Sequence, residues 1–150
     1  MVKKVICRNR KASHEYFIDE VFEAGMALLG PEAKSLREGR ANLVDSYARI
    51  KKGEIFLYNM HITPYPHAHH INLESTRTRK LLMNKREIKR LIGKTQEKGY
   101  SLIPLSVYFL GSWVKVELAL AKGKKKVDKR RTLREKEQKR EMEQERKKYN

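Results

Sequence analysis

From Ser101 to Leu120 apolar and polar residues alternate through two consecutive runs. Ile103, Leu105, Val107 and Phe109 fall on one face of an extended segment, and Gly111-Ser112 interrupts it. Val114, Val116, Leu118 and Leu120 then share a face of the next segment, with Lys115 and Glu117 turned the other way. A period of two cut by a pair of turn residues dictates a hairpin with one buried face. A second hairpin turns at Lys51-Lys52-Gly53-Glu54 and joins Tyr47–Ile50 to Ile55–Met60. A further strand is expected over Tyr16–Ala24, with Tyr16, Ile18, Phe22 and Ala24 on one side.

Two helices interrupt these strands. Asn84-Lys85-Arg86-Glu87 is a capping-box-like start, Ile88, Leu91 and Ile92 form an apolar stripe, and Gly99 is a natural stop. Gly30-Pro31 opens a shorter helix that closes near Gly39. The expected fold is mainly β with short helices. An OB-like antiparallel barrel is the architecture of choice, because sheets of this size close to protect their edges.

The chain has 150 residues, 35 Lys+Arg against 18 Asp+Glu, and a formal net charge of +17. That length sets an expectation of one domain and a tail. Residues 122–150 hold 14 Lys+Arg and 6 Asp+Glu, net +8, with only Val127, Leu133, Met142 and Tyr149 apolar. Such a segment cannot bury enough surface to offset its ordering entropy. It nevertheless lacks Gly and Pro after Asp128 and places Glu135 before Lys139 and Glu143 before Lys147 in the favoured i,i+4 orientation. The reading is therefore an OB-like body over residues 1–121 and a basic tail over 122–150, disordered alone and helical against an anionic partner.

The charge narrows the partners. Nucleic-acid phosphates or an anionic membrane take up such a surplus, but the basic segments lack the greasy helical face that a membrane surface requires. No apolar run approaches the roughly 18 residues of a membrane span. The start, MVKKVICRNRK, has no apolar region of a secretory signal, and Cys7 as the single cysteine excludes an internal disulfide framework. A cytoplasmic monomer is expected.

Catalytic candidates are few. His67 and His69 lie two residues apart, with His70 and His61 nearby, but no cysteine or carboxylate joins them at ligand spacing, so an ordinary loop is preferred to a metal site or an RNA-processing centre. Asp19 and Glu23 read as one face of a strand and Glu20 as the other, a counter-charge strip on a basic protein. Cys7 beside Arg8 and Arg10 invites a lowered thiol pKa. No phosphate-cradling loop, nucleophile elbow or zinc motif is present. The expectation is no enzyme, no cofactor and no metal.

Basic clusters interleaved with aromatics point to RNA instead. Lys3, Lys4, Arg8, Arg10 and Lys11 crowd the N-terminus, and Arg77, Arg79, Lys80, Lys85, Arg86, Lys89 and Arg90 follow the histidine loop. Tyr16, Tyr47, Tyr58, Tyr65 and Tyr108 offer stacking surfaces. Cations supply salt-dependent phosphate affinity, while aromatic faces and polar edges read unstacked bases and 2′-hydroxyls.

Several strings in series resemble one family. They run from Asn9-Arg10-Lys11-Ala12 and His14-Glu15-Tyr16-Phe17-Ile18 through Phe22-Glu23-Ala24-Gly25 and Glu32-Ala33-Lys34-Ser35-Leu36-Arg37. Ala41-Asn42-Leu43-Val44-Asp45-Ser46-Tyr47, Thr78-Arg79-Lys80-Leu81-Leu82 and Lys85-Arg86-Glu87-Ile88 follow. Gly99-Tyr100, Leu120-Ala121-Lys122-Gly123-Lys124-Lys125 and Asp128-Lys129-Arg130 complete the series. Their order and spacing resemble the SsrA-binding protein (SmpB) family over nearly the whole chain.

The resemblance implies an OB-like barrel that binds the tRNA-like part of transfer-messenger RNA and delivers it to stalled ribosomes for trans-translation, the tail entering the empty mRNA channel as a helix. It implies RNA contacts at Asn9, Glu23 and Leu82, although Leu82 can equally be a core residue; Arg10, Lys11, Arg79 and Lys80 of the basic clusters, with Lys34 and Arg37, are further candidate RNA contacts on their charge. It implies a role in tagging for Asp128 and Lys129 of the tail, and the neighbouring cations Lys124, Lys125 and Arg130 are further candidates for ribosome contact. Val127 stands where some relatives carry a histidine able to stack on ribosomal RNA. The rival reading is a permanently bound ribosomal protein.

Overall fold

The structure, a computed structural model, describes residues 2–64, 74–97 and 99–124. In chain order these form β1 (Lys3–Arg8), α1 (Ala12–Glu15), β2 (Tyr16–Met26), α2 (Gly30–Arg37), β3 (Ala41–Asn42) and β4 (Tyr47–Lys51). Then come β5 (Glu54–Tyr58), β6 (His61–Ile62), β7 (Arg79–Leu82), α3 (Lys85–Thr95), β8 (Tyr100–Leu110) and β9 (Trp113–Gly123). Leu110 faces Trp113 across the Gly111-Ser112 turn, where Gly111 takes φ +63°. The β4–β5 turn places Lys52 and Gly53 at φ +53° and +75°, the left-handed pair that a two-residue hairpin requires.

The strands close on themselves. From β8 the hydrogen-bonded order runs through β4, β5, β7, β2 and β9, and β9 pairs with β8 again. All these pairings are antiparallel. Two joints of the ring are short: β4 meets β8 at Ala48 opposite Leu102, and β7 meets β2 at Leu82 opposite Gly25 and Leu81 opposite Met26. β1 occupies the rest of the β8 edge, from Ser106 to Leu110. Between these two partners Asn9 fills the interval, donating its backbone N–H to Leu105 O at 2.7 Å and its side-chain amide to Pro104 O at 3.1 Å.

Inside the ring lie Ile55, Leu57, Leu81, Val107, Val116, Leu118 and Leu120, with Ile88 and Leu91 of α3 packed into the same core. Each such side chain contributes about 1.5–3 kcal/mol by leaving water. Asn84 caps α3 by accepting from Arg86 N–H at 3.0 Å. The helix stops at Thr95, whose hydroxyl donates to Leu91 O at 2.8 Å, and Gly99 serves the following turn at φ +90°.

Two β-bulges overturn the simple alternation expected from the sequence. One lies between Ile18 and Glu20, the other between Pro104 and Ser106. An extra residue in a strand reverses which side chains face inward. Phe22, Ala24 and Met26 therefore point into the ring while Ile18, expected beside them, is exposed. Likewise Leu102, Val107 and Phe109 join the main core, whereas Ile103 and Leu105 pack outside the barrel with Ala12 and Ala121. Helix α1 is thus held against the outer face of β8 and β9. β9 also continues past Ala121, with Tyr16 opposite Gly123 and Lys124 N–H donating to Glu15 O, so the folded body extends to Lys124.

Candidate nucleic-acid interface

The outer wall made by β7, β2, β9 and β8 gathers several of the expected RNA-binding residues. Alternation after the β2 bulge turns Val21, Glu23 and Gly25 outward, opposite Ala119, Glu117 and Lys115 of β9. Leu82 is opposite Gly25 from the other side and is 53% exposed, which settles it as a surface residue rather than a core one. A Cβ on Gly25 would stand 3.3 Å from Leu82 Cβ, so the glycine lets Leu82 lie close over the sheet. Val21 and Ile18, at 49% and 41% exposure, continue an apolar strip along the same wall. Lys80, two residues before Leu82, is exposed and ion-paired to Glu54 at 3.2 Å.

Glu23 is held by a network that the sequence did not signal. Tyr108, outward on β8, is only 3% exposed, and its hydroxyl donates to the Glu23 carboxylate two strands away. Lys3 Nζ lies 4.2 Å from the Tyr108 ring centre and 3.9 Å from Glu117 Oε2. Ser106 Oγ donates to that same Glu117 oxygen at 3.2 Å. Burial, together with the carboxylates of Glu23 and Glu117, pushes the Tyr108 phenol far above its ordinary value, so it remains a proton donor. A tyrosine in an inward-outward pattern reads equally as stacking surface or core; its partner two strands away is legible only from the pairing.

The remaining candidates are distributed more widely. Arg10 and Lys11 are exposed beside Asn9 at the entry to α1, and Lys34 and Arg37 are exposed on α2. Asn9 is committed to the Pro104 carbonyl through its amide N–H, leaving its carbonyl oxygen as the group that can face RNA. Lys124 folds back on the body, donating to Ser13 O at 3.3 Å and lying 4.4 Å from the Phe17 ring centre. Lys125, Asp128, Lys129 and Arg130 lie outside the described residues, as do Tyr65, His67, His69 and His70.

Arg79 belongs in the interior, contrary to its expected place at the RNA surface. It is fully buried on the face of β7 that also buries Leu81. Its guanidinium donates to Glu32 Oε2 at 2.7 Å, Met60 O at 2.7 Å and Ser75 O at 3.2 Å. Arg77 donates to Glu32 Oε1 at 2.6 Å, and Glu32 also accepts from Leu29 N–H at 3.0 Å. Burial raises the Glu32 pKa, but hydrogen bonds from Arg77 and Leu29 and the charge of Arg79 outweigh it, holding the carboxyl below its ordinary value. The two arginines and one glutamate tie α2 to both flanks of the segment between β6 and β7.

No group of three or more His, Cys, Asp or Glu side chains is placed to hold a metal among the described residues. Cys7 does not have the lowered pKa that its arginine neighbours suggest. Burial on β1 pushes its thiol up to about 11, against a smaller opposing hydrogen bond from the Val107 backbone. No helix among the described residues is long and apolar enough to cross a membrane.

A small closed antiparallel barrel with one wall of exposed acceptors, cations and apolar side chains defines an OB-like binding protein of the nucleic-acid-reading class. The family model described as "SmpB protein" matches residues 6–148. An SsrA-binding protein of Syntrophobacter fumaroxidans is 61% identical over 139 residues, covering 93% of this chain and 86% of its own. One from Geobacter sulfurreducens is 57% identical over 142 residues, covering 95% and 93%. A solved chain described under "tmRNA-SmpB: a journey to the center of the bacterial ribosome" superposes with a TM-score of 0.67 at 46% identity, covering 80% of this chain and 85% of that one. The chain belongs to the SmpB family of SsrA-binding proteins.

Proposed function

We propose that this protein binds the tRNA-like part of transfer-messenger RNA and brings it to stalled ribosomes, enabling trans-translation as a binding factor and not as an enzyme. The observation that carries this reading is the family match from residue 6 to residue 148, which spans both the barrel and the basic tail. The barrel wall supplies the chemistry: Lys80 and the N-terminal cations for phosphate, Leu82 and Val21 for an exposed base, Glu23 for base amino groups or 2′-hydroxyls. Asn9, Arg10 and Lys11 extend the contact at the entry to α1, and Lys34 and Arg37 supply cations on α2. Residues 125–150, including Asp128, Lys129 and Arg130, act in the ribosomal mRNA channel, where surrounding phosphates screen their mutual repulsion and favour the helix that their composition encodes.

The two activities are separable. Truncation after Lys124, which keeps the whole of β9, retains affinity for the transfer-messenger RNA in a gel-shift titration and abolishes peptide tagging in a reconstituted stalled-translation assay. Loss of RNA affinity comparable to the loss of tagging overturns the division of labour. Recovery of the protein from salt-washed ribosomes in amounts equal to the ribosomal proteins overturns the rescue role in favour of a permanent subunit component.

A further inference from the structure

We infer that Tyr108 is a positioning residue for RNA recognition: it fixes Glu23 beside Glu117 as a paired acceptor that selects hydrogen-bond donors of RNA, base amino groups or 2′-hydroxyls, over phosphate. The inference rests on the reading that the outer wall binds RNA.

Glu23 and Glu117 are direct cross-strand partners on β2 and β9. Like charges placed so are destabilising, and a sheet selected for stability alone does not keep them. Here the arrangement is maintained by three separate devices: the Tyr108 hydroxyl on Glu23, the Ser106 hydroxyl on Glu117, and the Lys3 ammonium between the Tyr108 ring and Glu117. Tyr108 reaches Glu23 from β8 by lying across β9, since its own direct partners are Val5 and Lys115. A flexible surface glutamate has thereby become a carboxylate with one oxygen spent on a fixed donor. Among the described residues nothing donates to the second oxygen of Glu23 or of Glu117. On a protein of net charge +17, a pair of oriented carboxylates repels phosphate locally and accepts from N–H or O–H groups. A pre-oriented acceptor also loses less rotamer freedom on binding than a free one.

The test uses the full chain and a transcribed tRNA-like domain of transfer-messenger RNA. Tyr108→Phe keeps the ring and its packing but removes the donor. It is expected to lower affinity roughly tenfold, as loss of an oriented charged hydrogen bond does. The log–log salt line shifts in parallel, because no phosphate contact is lost. Glu23→Ala lowers affinity by a similar factor, and the double variant by no more than either single one, the non-additivity of a shared interaction. Transcripts with 2′-deoxy sugars or with inosine for guanine at protected positions bind the native protein less well. That discrimination disappears in Tyr108→Phe. A Tyr108→Phe protein that binds like the native one, while Glu23→Ala loses affinity, overturns the positioning role and leaves the RNA-binding wall intact. If Glu23→Ala is silent as well, the wall itself is misassigned. A loss that changes the salt slope, or that adds independently to Glu23→Ala, also overturns the inference.

Discussion

Glu32 and Glu23 stand nine positions apart in the same acidic-and-basic sequence, yet the fold gives them opposite employment. Glu32 is buried on α2 under two guanidinium groups, with both oxygens and a neighbouring N–H satisfied. Glu23 is exposed on the outer wall, tethered through one oxygen to a tyrosine. The first arrangement uses charge to fasten chain segments together; the second uses it to display an acceptor. Arg79 is thereby committed to the interior, and a count of cations overstates the surface available to RNA.

The comparison breaks most readily at Arg79. Removing one member of a buried ion pair leaves an uncompensated charge, at a cost of about 3–5 kcal/mol. Arg79→Ala is therefore expected to melt far below the native protein in circular dichroism, whereas Glu23→Ala melts normally and loses RNA affinity in a gel shift. An Arg79→Ala protein with native stability and weakened RNA binding reverses the assignment of the two sites. Arg77 is partly exposed and Glu32 keeps Arg79 when it is removed, so Arg77→Ala costs about 1 kcal/mol by chemical denaturation. Acid probes the same site. Glu32 has a folded pKa below its ordinary 4.5, so its stabilising contribution is complete above that value and is lost as pH falls through the lower folded one. Stability measured from pH 6 downward should fall in that acid range in the native protein and less steeply in Glu32→Gln.

How much of this is legible in the sequence depends on what sets each feature. The β8–β9 hairpin, the Lys52-Gly53 turn and the apolar stripe of α3 follow from local period and turn chemistry, and all stand as expected. The wall faces do not, because one inserted residue at Asp19 and one at Leu105 reverse the alternation, and no local rule marks a bulge. The burial of Arg79 does have a signal: it stands two residues from Leu81, so the face that buries one buries the other. Charge identity masks that signal, since Arg77, Arg79 and Lys80 look like one basic run. Tyr108 and Glu117 join the candidate site through pairings far apart in the chain, between β8, β9 and β2. Glu23 and Leu82 enter as candidates through the family resemblance of their strings, and the register shows that they share one wall, on β2 and on the β7 strand beside it.

Smaller changes sharpen the wall itself. Gly25→Ala places a methyl group 3.3 Å from Leu82 Cβ, an atom that side-chain rotation cannot move, so β2 and β7 must part by a few tenths of an ångström and carry Leu82 with them. The expected loss of stability is about 1 kcal/mol or less. Because Leu82 no longer lies close over Gly25, affinity for the tRNA-like RNA is expected to fall several-fold at unchanged salt slope, read by the same titration. Native affinity in this variant removes Leu82 from the base-packing role.

Lys80 provides the mildest perturbation and separates the two kinds of charge most directly. Its partner Glu54 is about as exposed as itself, and an exposed pair of this type contributes at most about 1 kcal/mol. Lys80→Ala is therefore expected to melt within a degree or two of the native protein. On the wall, however, Lys80 shares the exposed face of β7 with Leu82, and a lysine that neutralises one phosphate contributes about one unit to the slope of log affinity against log salt. The slope should become shallower by about that amount, with the effect largest at low salt and the discrimination between donor-bearing and donor-deleted RNA unchanged. An unaltered slope means that Lys80 serves Glu54 alone, and the phosphate path must then run over Lys3, Lys115 and the α1 entry instead.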